Sequence, residues 1–529
     1  MPTLTLTNAR IFTMDPGHPF ASGLVIEEGK ITRILSRGED LPNQINAETI
    51  DLGGKTVLPG LIDSHLHLRN YAETLQKLNC ETNTIQECLN LVKERVHSTP
   101  PGKWILGHGW NHNLWPGGYG TAEDLDQIST KHPIYLTGKS LHVSWANTTA
   151  LDMAGITRNT PDPSGGILGR DPDGNLTGIL FEEAVKIIEK AIPLPTRDET
   201  VQAISTAQES LWRMGLTGVH DFDQVPCLEA LKTLVDQHRL KLRVLKSIPA
   251  DYLEEAIEEG IRTGDGSDWL WYGGVKDFMD GALGPQTAAM ISPYQGTDAI
   301  GMLLKSEDEI YQLGREAASG GLSLAIHAIG DLANRTLLDA LARVRKFEHD
   351  QGIKALPHRI EHVQILHPED ISRLAALGIT ASMQPIHATS DMAMADTYWG
   401  ERTRYAYAPK MLLNQGVRVI FGSDAPVESP NPWLGIHAAV TRRTRAGTPG
   451  PDGWHPEGRL SLKQTLTAFT SAAGEAAGKG RQQGRLAPGY WADCIILAED
   501  PFSCLPDELW KIKPLGTMIN GEWVWREFE

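Results

Sequence analysis

Eight short apolar runs, each closing on polar residues and each separated from the next by helix-like sequence, restrict this chain more than any other feature. They lie at 56–68, 216–222, 242–249, 274–283, 322–331, 358–366, 379–387 and 417–427. Strand-length runs alternating with helical segments build parallel sheets from βαβ units, and eight of them match a (β/α)8 barrel. The first interval breaks the rhythm. Far more chain lies between Leu68 and Leu216 than one helix and its loops require, and it is rich in Trp, His and Gly. An inserted subdomain at 69–210 is the expectation.

The two ends read differently from the middle. Residues 4–12 and 24–34 have strand character and are punctuated by Pro16-Gly17 and by the turn Glu27-Glu28-Gly29-Lys30. The stretches 492–497 and 514–525, the latter with the turn Asn520-Gly521, repeat that character at the other end. The expected organisation is therefore an α/β chain: a barrel at 56–479 and a small β-sandwich domain assembled from 1–55 and 480–529.

Charge and cysteine usage narrow the partners. The 66 acidic residues outnumber 49 basic ones, for a formal net charge of −17. A field of that sign repels phosphate backbones and anionic headgroups, which argues against nucleic acid or a membrane surface as partner. Five cysteines form no CxxC pair and no dense framework, as in a reducing compartment. The first residues lack a basic stretch followed by an apolar core, and no apolar run reaches membrane length. A cytoplasmic protein is the expectation, and a chain of this class admits a homodimer.

The chemistry concentrates at the ends of the runs. In Leu58-Pro-Gly-Leu-Ile-Asp-Ser-His-Leu-His-Leu68, alternation along a strand puts Asp63, His65 and His67 on one face. Two imidazoles so spaced can chelate a divalent ion, or they can be a pair of solvated or core histidines. The other runs decide between these. His327 closes the fifth run, His362 lies in the sixth and Asp424 ends the eighth. Barrel active sites form at the C-terminal ends of the strands, so four histidines and one aspartate converge. Lys276, in the fourth run, shares a face with Phe278 and Asp280. A buried lysine beside cations must be neutral, modified or paired, and Asp280 is a ready partner. On the seventh run, Gln384 and His387 either face substrate or satisfy backbone groups. The insertion offers Trp110, His112, Asn113, Trp115, His142 and Trp145, a mixture suited to a small-molecule pocket, although each tryptophan can equally be core. Arg442-Arg-Thr-Arg445 reads as a solvated helix end or surface ion-pair cluster. No phosphate loop of the form GxxxxGK[ST] and no GxSxG elbow is present.

These motifs, read together, resemble the amidohydrolase superfamily, and within it the amidohydrolase family 3 branch of YtcJ-like metal-dependent hydrolases, which includes N-substituted formamide deformylase. The resemblance runs along nearly the whole chain. It includes Gly107-His-Gly-Trp-Asn-His-Asn-Leu-Trp-Pro-Gly-Gly118, His132-Pro-Ile-Tyr135, Leu141-His-Val-Ser-Trp-Ala-Asn147 and Gly165-Gly-Ile-Leu-Gly-Arg170. It continues through Asp173-Gly-Asn-Leu-Thr-Gly178 and Val275-Lys-Asp-Phe-Met-Asp-Gly281 to Gly484-Arg-Leu-Ala-Pro-Gly-Tyr-Trp-Ala-Asp493. It implies one or two divalent metals, usually zinc. His65, His67 and Asp424 would hold the first, His327 and His362 the second, with Lys276, carboxylated on its amine, bridging them. Asp424 would serve as the catalytic base. Trp110, Asn113, His142, Gln384 and His387 are the expected substrate contacts. The implied reaction is hydrolysis of a non-peptide C–N bond in an amide, N-formyl or N-acyl small molecule. A hydrolytic deaminase, a cyclic-amide hydrolase or a catalytically silent scaffold are the alternatives. The stretch Gly480-Arg-Gln-Gln-Gly484 departs from the family in lacking a carboxylate, and Tyr490-Trp491 replace the small or basic residues usual after the closing Pro-Gly.

Overall fold

The computed structural model describes residues 3–39, 48–112, 115, 117–139 and 142–528. Its central sheet has eight parallel strands in sequential order: β1 Leu61–Leu66, β2 Leu216–Asp221, β3 Arg243–Pro249, β4 Leu270–Phe278, β5 Leu324–Ala328, β6 Arg359–His362, β7 Thr380–Met383 and β8 Val419–Phe421. Helices separate them, among them Val225–Asp236, Glu307–Ser319 and Asp331–Asp350. This is a (β/α)8 barrel. The helix Asp331–Asp350 buries Leu337, Leu338, Leu341 and Val344 on one stripe, at the spacing an amphipathic helix needs to lie on a sheet. Ser306 and Glu309 form a capping box that fixes the start of Glu307–Ser319.

The barrel closes between β8 and β1. The Asp424 N–H donates to the His65 carbonyl at 2.7 Å, and the His67 N–H donates to the Ala425 carbonyl at 2.8 Å. Gly422 makes this approach feasible, since a Cβ there would sit 2.4 Å from the His65 backbone nitrogen.

The run at 56–68 is two strands in two sheets, not one. Thr56–Pro59 belongs to the sheet built by the chain ends, and β1 starts at Leu61. The chain changes sheets at Gly60, whose N–H donates to Asp493 O at 2.9 Å while the Leu61 N–H turns to Gly215 O at 3.1 Å. A side chain on Gly60 would collide with Thr217 at 2.1 Å. Residues 4–12 divide in the same way, Leu4–Thr7 entering one sheet and Arg10–Phe12 another.

Two sheets adjoin here, a four-stranded one from the N-terminal end alone and a six-stranded one to which both chain ends contribute. Thr56–Pro59 lies between Arg10–Phe12 and Cys494–Leu497, and the last pairing is antiparallel with Pro59 opposite Cys494. Leu4, Leu6, Leu24 and Ile26 from the four-stranded sheet share one apolar core with Ile11, Val57, Ile496 and Met518 from the six-stranded one. Residues Ala72–Ala203 form a separate compact unit. It carries its own six-stranded sheet, from Leu78–Asn79 at one edge to Gly166–Arg170 at the other. Among the described residues no helix is long and apolar enough to cross a membrane.

Candidate metal centre

His65 and His67 stand where β1 ends and aim their Nε2 atoms at one carboxylate oxygen. Oδ1 of Asp424 lies 3.4 Å from His65 Nε2 and 3.5 Å from His67 Nε2. The opposite ring nitrogens are held from behind. His65 Nδ1 meets Glu361 Oε2 at 2.6 Å, and His67 Nδ1 lies 3.3 Å from Asp223 Oδ1. A carboxylate behind an imidazole fixes ring and tautomer, so the lone pair on the other nitrogen faces forward.

Burial pulls the His67 pKa down, but its bonds to Asp223 and Asp424 outweigh that and raise it to about 9. Burial favours the acid form of Asp424, yet His65 and His67 hold it well below the usual carboxylate range. Asp424 and His362 both have left-handed backbones, with φ of 61° and 75°. That conformation is costly for side-chain-bearing residues and gathers at functional sites. Asp63, on the same face as the histidines, is a strut. Its Oδ1 accepts the His65 and Ser423 N–H groups at 3.0 and 3.1 Å.

His362 and His327 stand beside this pair, with ring centroids 4.9 Å between His65 and His362 and 4.5 Å between His362 and His327. His362 Nδ1 bonds Gln384 Oε1 at 2.9 Å, which leaves Nε2 as the nitrogen that could hold an ion. His327 Nε2 donates to Gly281 O at 3.0 Å, leaving Nδ1. Burial, with the Lys276 charge adding to it, takes the His327 pKa down to about 3, so the ring is neutral. Lys276 does not pair with Asp280. That carboxylate accepts three backbone N–H groups, from Ala289, Ile329 and Gly330, at 2.8–3.0 Å. The Lys276 ammonium is buried without a hydrogen-bond partner among the described residues, 4.1 Å from the Phe278 ring centroid. Burial lowers its pKa to about 8 against the opposing pull of Glu361 and Asp424.

Sequence reading missed the groups that hold these side chains. Arg359 lies along Glu361, and its Nη2 donates to Ser64 O at 2.7 Å and to Ser382 Oγ at 2.9 Å. Two charged residues alternating on one buried strand, in Arg359-Ile-Glu361, were the available signal. Asp221 and Asp223 accept the N–H groups of Leu68 and Arg69 at the start of the helix that follows β1. Lys246, fully buried, pairs with Asp221 at 2.9 Å and donates to the Asp223 carbonyl.

The expected substrate contacts divide. Trp110 is a correction: it is 1% exposed in the core of the Ala72–Ala203 unit, and its indole N–H donates to Leu136 O at 2.9 Å. Trp115 and Trp145 pack in the same core. Asn113 lies outside the described residues. His142 is exposed, and its Nδ1 lies 2.8 Å from Glu182 Oε2. Gln384 and His387 are both buried next to His362, the first by its hydrogen bond and the second by a parallel ring 6.3 Å away. Arg442 is another correction. It is buried, with Nη1 donating to Tyr407 O at 2.6 Å and Nε to Trp454 O at 2.9 Å.

A parallel barrel that gathers histidines and an aspartate at its strand ends defines the class of barrel hydrolases whose sites are built for metal ions. The chain belongs to the amidohydrolase family, whose model matches residues 48–525, and it is a hydrolase. It is 32% identical to YtcJ of Bacillus subtilis (strain 168) and 28% identical to the N-substituted formamide deformylase of Arthrobacter pascens, each over 98% of both chains. A crystal structure of a metal-dependent hydrolase from Pyrococcus furiosus superposes with a TM-score of 0.78 at 28% identity, covering 95% of this chain and all of that one.

Proposed function

We propose that this hydrolase cleaves a non-peptide C–N bond, in an amide, N-formyl or N-acyl small molecule, with one or two divalent ions, zinc being the best match to the donors. The observation that carries this reading is the convergence of His65 Nε2 and His67 Nε2 on Asp424 Oδ1, with Glu361 and Asp223 behind the rings. Imidazoles steered from behind and an ionised carboxylate suit a borderline-soft divalent ion, which would displace the proton that His67 carries without it. His65, His67 and Asp424 would hold the first ion, and His362 and His327 face the second. When bound, such an ion polarises a carbonyl and acidifies water.

The chain's own groups supply the rest. Asp424, held ionised, accepts the proton of the attacking water and returns it to the departing amine, a role open to a carboxylate beside the two histidines. Lys276 at a pKa of about 8 is in part a neutral amine at neutral pH. Such an amine can add carbon dioxide and lose a proton, which would place an anionic carbamate where a bare ammonium has no partner. His67, Phe222, Asp223, Asp251, Lys276 and Phe278 line a cavity of about 250 Å³, the size of a small substrate.

Elemental analysis of protein purified without added metal, combined with a panel of amides, N-formyl amines and N-acyl amines, tests the proposal. Bound metal together with turnover on that panel is the expected result. Metal with turnover only on amidines or amino-heterocycles would move the chain to deamination. Metal-free protein that cannot be reconstituted would leave it a silent scaffold.

A further inference from the structure

A small chamber lies beside His362, away from the pair at His65 and His67. Gln364, Gln384, Tyr407 and Arg442 line it, with apolar side chains from β7, β8 and the helix Pro432–Thr441. Its volume is about 10 Å³, the space that one water-sized occupant needs.

Arg442 sets the character of this chamber. It ends the helix Pro432–Thr441 in a left-handed backbone, φ 57°, where glycine is the usual residue. The side chain is 3% exposed. Nε and Nη1 donate to the carbonyls of Trp454 and Tyr407, and Nη2 makes no hydrogen bond among the described residues. No carboxylate pairs with the guanidinium there either. Glu457, whose charge acts on it, is 60% exposed and lies 3.7 Å from His455 instead. Burial brings the Arg442 pKa down from 12.5 to about 10, which leaves it a cation at neutral pH. Gly458 keeps the guanidinium uncovered on one side, since a Cβ there would stand 3.6 Å from Cζ and 3.9 Å from Nη2.

The other polar groups of the chamber are donors or already engaged. Gln384 gives Oε1 to His362 Nδ1, while its Nε2 is buried with no hydrogen-bond partner among the described residues. The Tyr407 hydroxyl is engaged by Asp391 and Gln364, at 2.7 and 3.1 Å. Unsatisfied N–H groups on two buried side chains, one of them charged, call for an acceptor. A water accepts from both but leaves the buried positive charge without a counter-charge, which is costly. A halide ion does both, and a carboxylate or phosphate is too large for the space.

We propose that this chamber binds one chloride-sized monovalent anion between Arg442 and Gln384. The anion fixes the Gln384 amide and, through its bond to Nδ1, the ring of His362. The proposal is independent of the metal-dependent reading of the site, so either can fail while the other stands.

Crystals of the full-length protein grown in sodium bromide, with diffraction data collected at the bromine absorption edge, test it. An anomalous peak in the chamber, in contact with Arg442 and Gln384, is the expected result. A water there without anomalous signal would overturn the proposal. In solution, the melting temperature in sodium chloride is compared with that in sodium gluconate of equal ionic strength, whose anion is too large to enter. Chloride should raise it by about 1–3 °C, saturably, and Arg442→Met should lose that rise. An equal rise in the variant, or none in the wild-type chain, would also overturn the proposal. Should Arg442→Met fail to fold, the bromide crystals of the wild-type chain decide.

Discussion

At the scale of single residues, His67 carries the proton with the largest consequence for metal uptake. Between Asp223 and Asp424 its pKa rises from 6.5 to about 9, so it is an imidazolium at neutral pH while no ion is bound. An ion must displace that proton, which couples affinity to pH. Zinc affinity should climb about tenfold per pH unit from 7 and level off above about 9. Titrations across that range check this, and a flat profile would deny His67 a ligand role. The same proton stabilises the metal-free fold fully below pH 6.5, and that contribution is lost as pH rises through 9. Asp424 gives a second prediction. Asp424→Asn keeps the shape of the carboxylate but cannot take up a proton as a base. Turnover on the best substrate should fall by about 10²–10⁴-fold, while zinc content measured alongside stays at half the wild-type value or more. Undiminished turnover would remove Asp424 from the base role. His65, His67, His327, His362, Lys276 and Asp424 were legible in the sequence because strand alternation and strand ends mark them. Glu361, Asp223 and Lys246 were not, because a buried charge acquires meaning only from the partner that faces it.

At the scale of elements, the seam between β1 and β8 is where the barrel and the site coincide. The hydrogen bonds that close the barrel join His65 and His67 to Asp424 and Ala425. Gly422→Ala would drive a methyl group to within 2.4 Å of the His65 nitrogen and 2.7 Å of Asp63 Oδ1. Forced overpacking of this kind costs about 1–3 kcal/mol. A lower melting temperature together with reduced zinc content is the expected result. Unchanged values of both would mean the seam can relax without disturbing the ligands. Each of the eight runs overlaps a barrel strand, since each is apolar enough to be largely buried. Their edges were less legible. The run at 379–387 includes a helix start, because Pro385 ends β7 and opens the helix. The run at 274–283 misses the beginning of β4, where Leu270, Trp271 and Tyr272 already pair with β3. The sheet of the insertion was not legible at all, because its strands are short and interrupted by glycine turns.

At the scale of the whole molecule, the chain ends are bound to the barrel by covalent continuity and by charge. Cys494–Leu497 pairs with Thr56–Pro59, and one residue later the chain enters β1. Arg243, on β3, meets Asp493 in a buried ion pair, with Nη2 2.9 Å from Oδ1. A chain truncated before Cys494 loses that pairing and opens the core around Val57 and Ile11. Loss of soluble protein is expected, seen as the soluble fraction on expression. A soluble truncation with full zinc content would show the barrel to be independent of its end sheets.

The seam between β1 and β8 also sets an order of events during synthesis. His65 and His67 leave the ribosome long before Asp424, and at about 5–20 residues per second the interval is tens of seconds. The strand that clamps Thr56–Pro59 follows later still. Through most of translation the two histidines are an open two-point chelate with no third ligand and no lid of closed barrel. Secure metal loading is therefore a late event, timed by closure of the sheet and not by the appearance of the first ligands.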